Sequence, residues 1–371
     1  MMNKESKHKF LVCGGAGFIG SAFVRLLAAR DVPFKVLDAF TYAGNPANLD
    51  GVVPAADIIT ASIGDRAAVD AALAEYQPDI IVNFAAETHV DRSVDDPAPF
   101  VATNIAATQS LLESARRYGR LQRFVQVSTD EVYGDLDIDR PDGMRADADT
   151  EHLLGREATL YGTESFNEQS PLRPSSPYSA SKASSDLMTL AYAHTFGLPA
   201  VVTRCSNNYG PRQFPEKLIP LMINNMLEHK PLPVYGTGAN VRDWIHVDDH
   251  CRGIYLVATA GRPGEVYDFG GYSEKTNIDI VRRLIAAVAD ITGDKTIDES
   301  LIHFVGDRPG HDRRYAIDAR KAMRELGWKP LADFDAALAD TARWYIDNRR
   351  WVEDIVNGEY REYYKKMYDA R

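Results

Sequence analysis

Short apolar runs alternate with longer amphipathic stretches through the first half of the chain. Residues 9–13, 34–37, 58–60, 80–84, 124–127 and 200–204 read as buried strands. Between them, residues 17–30, 66–76, 97–118 and 178–195 carry apolar positions at helical spacing. Such β-runs separated by helices of ten or more residues predict an α/β fold, a doubly wound parallel (Rossmann) sheet with helices on both faces. Beyond residue 206 the pattern shortens, and Pro and Gly crowd residues 209–238. Helices are expected there at 218–228, 248–260, 277–289 and 334–348, which predicts a smaller mixed α/β lobe. The expected division gives 8–206 to a dinucleotide-binding part, with a return segment near 240–270. A substrate-binding lobe would take 207–239 and 271–371. Residues 135–169 are polar, acidic and without period, and predict a long irregular excursion over the active-site face.

Composition narrows the classes. The 371 residues are 45% hydrophobic and 26% charged, ample for a large core. A net charge of -11 weighs against nucleic acid or an anionic membrane as the main partner. No stretch approaches the ~18 uninterrupted apolar residues of a transmembrane helix, and the polar, basic start lacks the apolar core of a signal peptide. Cys13, Cys205 and Cys251 are scattered and odd in number. They read as reduced thiols in a cytoplasmic protein. The histidines at 89, 246, 250 and 311 have no metal-ligand spacing, and no metal is expected.

Between the first strand and the first helix stands Gly14-Gly15-Ala16-Gly17-Phe18-Ile19-Gly20. Glycines here permit a tight turn and let backbone approach a pyrophosphate, which the helix N-terminus then attracts. Asp38 ends the second strand, where an acid bonds a ribose hydroxyl and repels a 2′-phosphate, favouring NAD over NADP. Phe84, Ala85 and Ala86 end the fourth strand with small residues that let a cofactor lie close.

Two further strings carry chemistry. Tyr178 and Lys182 are one helical turn apart and share a face. A nearby ammonium lowers a phenol's pKa, which makes Tyr178 a base for a substrate hydroxyl. Ser128-Thr129-Asp130-Glu131 follows the fifth strand, at the edge where open α/β sheets bind ligands. Two carboxylates can divide acid and base work if their environments push their pKa values apart. The same composition also suits a helix cap. Hydride transfer alone needs no such pair. Arg242 and Arg308 offer planar forks, and Lys217 a point charge, either of which can hold anionic oxygens.

Ser128 to Gly134 together with Pro177-Tyr178-Ser179-Ala180-Ser181-Lys182 resembles the extended short-chain dehydrogenase/reductases. Within them the chain is most similar to the dTDP-glucose 4,6-dehydratases. Further matching strings are Thr41-Tyr42-Ala43-Gly44-Asn45, Ala85 to Ser93, Cys205 to Pro211, Phe214 to Pro220, Val241 to Trp244 and Asp307 to Ala316. The resemblance runs from about Phe10 to the C-terminus. It implies a lyase that uses NAD to oxidise C4 of dTDP-glucose, eliminates water across C5 and C6, and returns the hydride to C6. A nucleotide-sugar 4-epimerase, or a 4,6-dehydratase acting on another NDP-hexose, is the alternative.

The resemblance also implies roles. Tyr178, with Lys182, would take the C4 hydroxyl proton, Glu131 the C5 proton, and Asp130 would protonate the departing C6 hydroxyl. Thr129 would polarise the ketone. Phe18, Ile19, Thr41, Ile63, Thr103 and Asn208 would join the glycines, Asp38 and residues 84–86 around NAD. Thr88, Asn207, Lys217, Leu218, Pro233, Tyr235, Arg242 and Asn277, with Asp307, Arg308 and His311, would line the nucleotide-sugar site. A homodimer formed by the helices at 97–118 and 178–195 is implied as well. The chain departs from the family pattern in three places. Cys13 stands where Thr is usual, Ser62 where an Asp reaches the adenine, and the stretch between Glu131 and Tyr178 is longer.

Overall fold

The computed structural model describes residues 8–307 and 310–356. Its centre is a seven-stranded sheet. We label β1 (Phe10–Cys13), β2 (Phe34–Asp38), β3 (Ile58–Thr60), β4 (Ile80–Asn83) and β5 (Arg123–Val127), to which Ala200–Cys205 and Val266–Phe269 add. The spatial order is Val266–Phe269, Ala200–Cys205, β5, β4, β1, β2, β3. Every neighbouring pair is parallel. The order reverses between β1 and β4, which opens a crevice beyond their carboxyl ends. The doubly wound expectation therefore holds.

Alternation along β1 shows how the sheet is covered on both faces. Phe10 and Val12 join one core with Phe23, Leu27, Ile254 and Trp328. Leu11 and Cys13 join the other with Leu73, Leu111, Phe124 and Tyr192. The seventh strand, Val266–Phe269, was not expected from the pattern. Asp268 interrupts its apolar run, yet that residue is fully buried and accepts from the Tyr133 hydroxyl at 2.7 Å.

A third core lies apart from the sheet and gathers Tyr209, Met222, Leu284, Leu338 and Tyr345. Around it run a three-stranded sheet (Glu274–Thr276, Val241–His246, Asn207–Tyr209) and a parallel pair (Leu232–Tyr235, Ile302–Val305). The expected helix at 97–118 contains a π-helical stretch, Val101–Ala107. Within it the Asn104 side-chain amide bonds the Glu87 backbone twice, accepting from its N–H at 2.8 Å and donating to its carbonyl at 3.0 Å.

The segment 135–169 is irregular only in part. It forms an antiparallel pair, Met144–Arg145 with Thr159–Leu160, around the helix Ala148–Leu154. Arg314, fully buried, holds it by bonding Glu164 O at 2.8 Å while pairing with Glu274 at 2.8 Å. Arg156 bonds Gly271 O at 2.8 Å, and Leu154 and Ala158 enter the core beside Trp328. The segment was hard to read because its anchors lie a hundred or more residues away. No described helix is long and apolar enough to cross a membrane.

Candidate active site

One cavity runs along the carboxyl edge of the sheet from the glycine turn to the strand ends after β5 and Ala200–Cys205. At one end the turn is built for close approach. Gly14 has φ +76°, and a Cβ there would fall 2.5 Å from Ala85 N. A Cβ on Gly20 would fall 2.1 Å from Gly14 O. On Gly17 it would meet only Gly14 O, at 3.5 Å, so this glycine faces open space. Gly17 is also the N-cap of the helix Phe18–Ala29 and gives that helix no side-chain cap. The cradle thus offers unshared N–H groups and a positive helix end to a pyrophosphate. Asp38 accepts from Ala16 N and Phe40 N, both at 2.8 Å, which aims its carboxylate at the cavity edge. Burial raises its pKa against those two bonds. Phe18, Ile19, Thr41, Ile63, Phe84, Ala85, Ala86, Thr103 and Asn208 all line the same cavity, as does Ser62. The residues present fit a dinucleotide.

At the other end stand Thr129, Asp130, Glu131, Tyr178 and Lys182, all lining the cavity. Local sequence sets each of them. Thr129 caps the single 3-10 turn Asp130–Val132, accepting from Glu131 N at 3.3 Å. The helix-cap reading of this string is therefore true of Thr129 and leaves the two carboxylates available. Ser176 forms a capping box with Ser179, at 3.1 and 3.0 Å, and Pro177 opens the helix Pro177–Phe196. That starts Tyr178 in the first turn, its N–H donating to Ser93 Oγ at 3.1 Å.

The electrostatics separate these groups. Asp130 is 1% exposed, and burial, then Glu131 and Asp243, raise its pKa well above the usual carboxylate range. Arg242 and the Thr129 hydroxyl oppose that shift. Its Oδ2 is buried without a partner. Burial, Glu131, Cys205 and Asp130 hold the Tyr178 phenol well above its ordinary value. The expected lowering of Tyr178 by Lys182 is not produced by the protein atoms alone. Lys182 instead donates to Val127 O at 2.7 Å, and burial lowers its own pKa.

The nucleotide-sugar residues divide. Thr88, Asn207 and Lys217 line the cavity, and Lys217 donates to Thr88 O at 2.8 Å. Asn207 Oδ1 is buried without a partner. Tyr235 bonds Asp91 at 3.3 Å just past Thr88, and its ring meets His311 edge-on at 5.9 Å. His311 is bonded to Asp307 at 2.6 Å. Arg242 is buried, donating to Val241 O and Asp312 O with its guanidinium 4.3 Å above the Tyr315 ring. Leu218 opens the helix Leu218–Leu227, Pro233 lies buried in Leu232–Tyr235, and Asn277 opens Asn277–Thr292; none of these three lines the cavity. Arg308 lies outside the described residues.

Sequence reasoning missed Glu87 and Glu216. Both line the cavity, and burial raises the pKa of both; Glu216 raises that of Glu87 further, and Arg92 opposes both shifts. Glu216 pairs with Arg92 at 3.1 Å. Their presence inside two of the matching strings was the available signal.

A doubly wound sheet, a glycine cradle, and a Tyr/Lys pair facing a carboxylate pair define a dinucleotide-dependent enzyme of the short-chain dehydrogenase type. The chain belongs to the NAD dependent epimerase/dehydratase family, which it matches over residues 10–270. It is 47% identical to a dTDP-glucose 4,6-dehydratase of Neisseria meningitidis, over 95% of this chain and 97% of that one. The crystal structure of the Streptomyces venezuelae dTDP-glucose 4,6-dehydratase DesIV, with NAD bound, superposes with a TM-score of 0.81 at 46% identity, covering 94% of this chain and 99% of that one. A UDP-glucose 4-epimerase from Thermus thermophilus is more distant, at 28% identity and TM-score 0.75 over 92% of this chain and 99% of that one.

Proposed function

We propose that this chain is an NAD-dependent hydro-lyase that converts dTDP-glucose to dTDP-4-keto-6-deoxyglucose. One observation carries the reading beyond hydride transfer: a buried carboxyl whose acid form burial favours, Asp130, adjoins Glu131 in the cavity that also holds Tyr178. NAD, when bound, supplies a cationic ring that accepts a hydride from C4 and returns it to C6. Tyr178 receives the C4 hydroxyl proton, and the added positive charge offsets the burial that otherwise keeps its phenol neutral. Lys182 anchors that helix face to the strand end through Val127 O. Thr129 donates toward the C4 oxygen, and Glu131 removes the C5 proton that the ketone acidifies and returns a proton to C5 once the hydride has reached C6. Asp130, whose acid form burial favours, gives its proton to the departing C6 hydroxyl.

The same reading assigns residues 8–206 and a return segment near 240–270 to the cofactor, and 207–239 with 271 onward to the nucleotide sugar. It assigns a homodimer through the helices that carry Val101 and Leu187, large apolar side chains 54% and 57% exposed. It also assigns a cytoplasmic location, consistent with three free cysteines. A panel of dTDP-, UDP-, CDP- and GDP-glucose tests the function. The expected result is a 4-keto-6-deoxy product, seen by its alkaline absorbance, with dTDP-glucose preferred. Recovery of dTDP-galactose would replace the dehydratase with an epimerase.

A further inference from the structure

His250 sits in the first turn of the helix Val247–Ala260, wholly buried, and lies behind the cavity wall rather than in it. The strand before that helix runs parallel to Asn207–Tyr209, with Ile245 opposite Asn208. This register brings the ring to the Asn208 side chain, 2.9 Å between Nδ1 and Oδ1. Neighbouring groups fix who donates. The Ser206 carbonyl only accepts, so the Asn208 atom 3.0 Å from it is the amide nitrogen. The amide oxygen therefore faces His250, and Nδ1 must carry the ring's proton. Asn208 Nδ2 also donates to Cys205 Sγ at 3.2 Å, and that thiol donates to Ser128 O at 3.5 Å. The line of bonds ends one residue before Thr129.

We propose that His250 is a positioning residue of this site: its Nδ1–H fixes the Asn208 amide, and through it the Cys205 thiol, against the strand end that carries Thr129 and Asp130. The proposal rests on the reading of the cavity as the cofactor and sugar site. Asn208, Cys205 and Ser128 all line that cavity, so the line braces its wall from behind. Burial lowers the ring's pKa to about 3, and Nε2 has no partner. The ring is thus a fixed neutral donor, not an acid or base of the reaction. Its ring also stands 6.0 Å from Phe269, the last residue of the seventh strand, which ties the line to the sheet.

Three variants test this. His250→Asn puts an amide N–H where Nδ1 stands, His250→Gln puts it one carbon too far, and His250→Leu removes it. Leu and Gln should lower kcat at saturating NAD by roughly ten- to a hundredfold, the consequence of leaving one buried acceptor unpaired, with KM for dTDP-glucose little changed. Asn should restore kcat to within about threefold of the parent. NAD dissociation constants supply a readout independent of turnover. His250→Leu and Asn208→Ala should each weaken NAD, and the double variant should be no weaker than Asn208→Ala alone. If Leu fails to fold, the Asn/Gln contrast and the cycle run with Gln carry the same comparison. Equal behaviour of Asn and Gln, unchanged kcat in Leu or Gln, or additive losses in the cycle would overturn the proposal. A parent protein that binds NAD but leaves dTDP-glucose untouched would instead sink the activity reading.

Discussion

Asp130→Asn separates the two consequences of burying this carboxyl. The substitution is isosteric, and the amide oxygen can keep the 3.3 Å bond from the Thr129 hydroxyl. The amide nitrogen replaces Oδ2, an atom that already lacks a partner, so no new bond is lost. Burial, then Glu131 and Asp243, raise the folded pKa, whereas an unfolded Asp titrates near ~3.9. Between those two values the folded chain holds a proton that the unfolded chain has released. The parent's stability therefore falls with rising pH, by about 1.4 kcal/mol per unit from this group. The variant lacks that term, so its stability relative to the parent should rise with the same slope from about pH 4 until the folded pKa is passed. Denaturant titrations of both proteins at several pH values read the difference directly. Turnover should fall about 10²- to 10⁴-fold, the usual contribution of a positioned acid. A stability difference independent of pH would show that Asp130 is ionised in the fold. Normal turnover would remove it from the reaction.

Glu131→Gln should slow C5 deprotonation more than C4 oxidation, so that reduced cofactor accumulates on the enzyme and is seen by its near-ultraviolet absorbance; unchanged turnover would exclude Glu131 as the base. The glycines should part company. Gly20→Ala drives a methyl to 2.1 Å from Gly14 O and should cost about 1–3 kcal/mol in stability as well as NAD binding. Gly17→Ala, open on that side, should lose NAD affinity with thermal stability nearly unchanged, and a joint loss in both variants would contradict the cradle geometry. Arg314→Met leaves Glu274 buried and uncompensated, which should cost about 3–5 kcal/mol. Limited proteolysis should then cut within 135–169; an undisturbed segment would mean that Arg314 is not its anchor.

Much of this was legible in the chain because local pattern and tertiary role agree there. The apolar runs of β1 to β5 alternate faces and need no distant partner to be read. The glycine turn announces itself by spacing, and Tyr178 with Lys182 by helical offset. What escaped depends on partners far along the chain. Val266–Phe269 hides behind Asp268, whose burial is explained by the Tyr133 hydroxyl that donates to it at 2.7 Å and itself accepts from Arg204 at 2.8 Å. The segment 135–169 looked structureless because Arg314 and Glu274, which hold it, are far off in sequence. Arg242 has partners that its spacing does not reveal. Its nitrogens reach Val241 O and Asp312 O and its face covers Tyr315, which holds the planar fork in place.

The electrostatics were legible only in part. Adjacent carboxylates invite a division of labour, but which of the two is buried cannot be read from Asp130-Glu131 alone. The 3-10 turn decides it, turning Asp130 inward and leaving Glu131 half-buried. Likewise, i, i+4 spacing places Lys182 near Tyr178 without revealing that Val127 O takes its ammonium.

The central claim, that Tyr178, Asp130 and Glu131 act in one cavity to move a hydride from C4 to C6 while water leaves, is tested most directly with dTDP-glucose carrying deuterium at C4. The purified protein with NAD should yield a 4-keto-6-deoxy product whose deuterium resides at C6, as read by nuclear magnetic resonance. Deuterium recovered at C4 of a galactose epimer, or lost to solvent, would contradict the account.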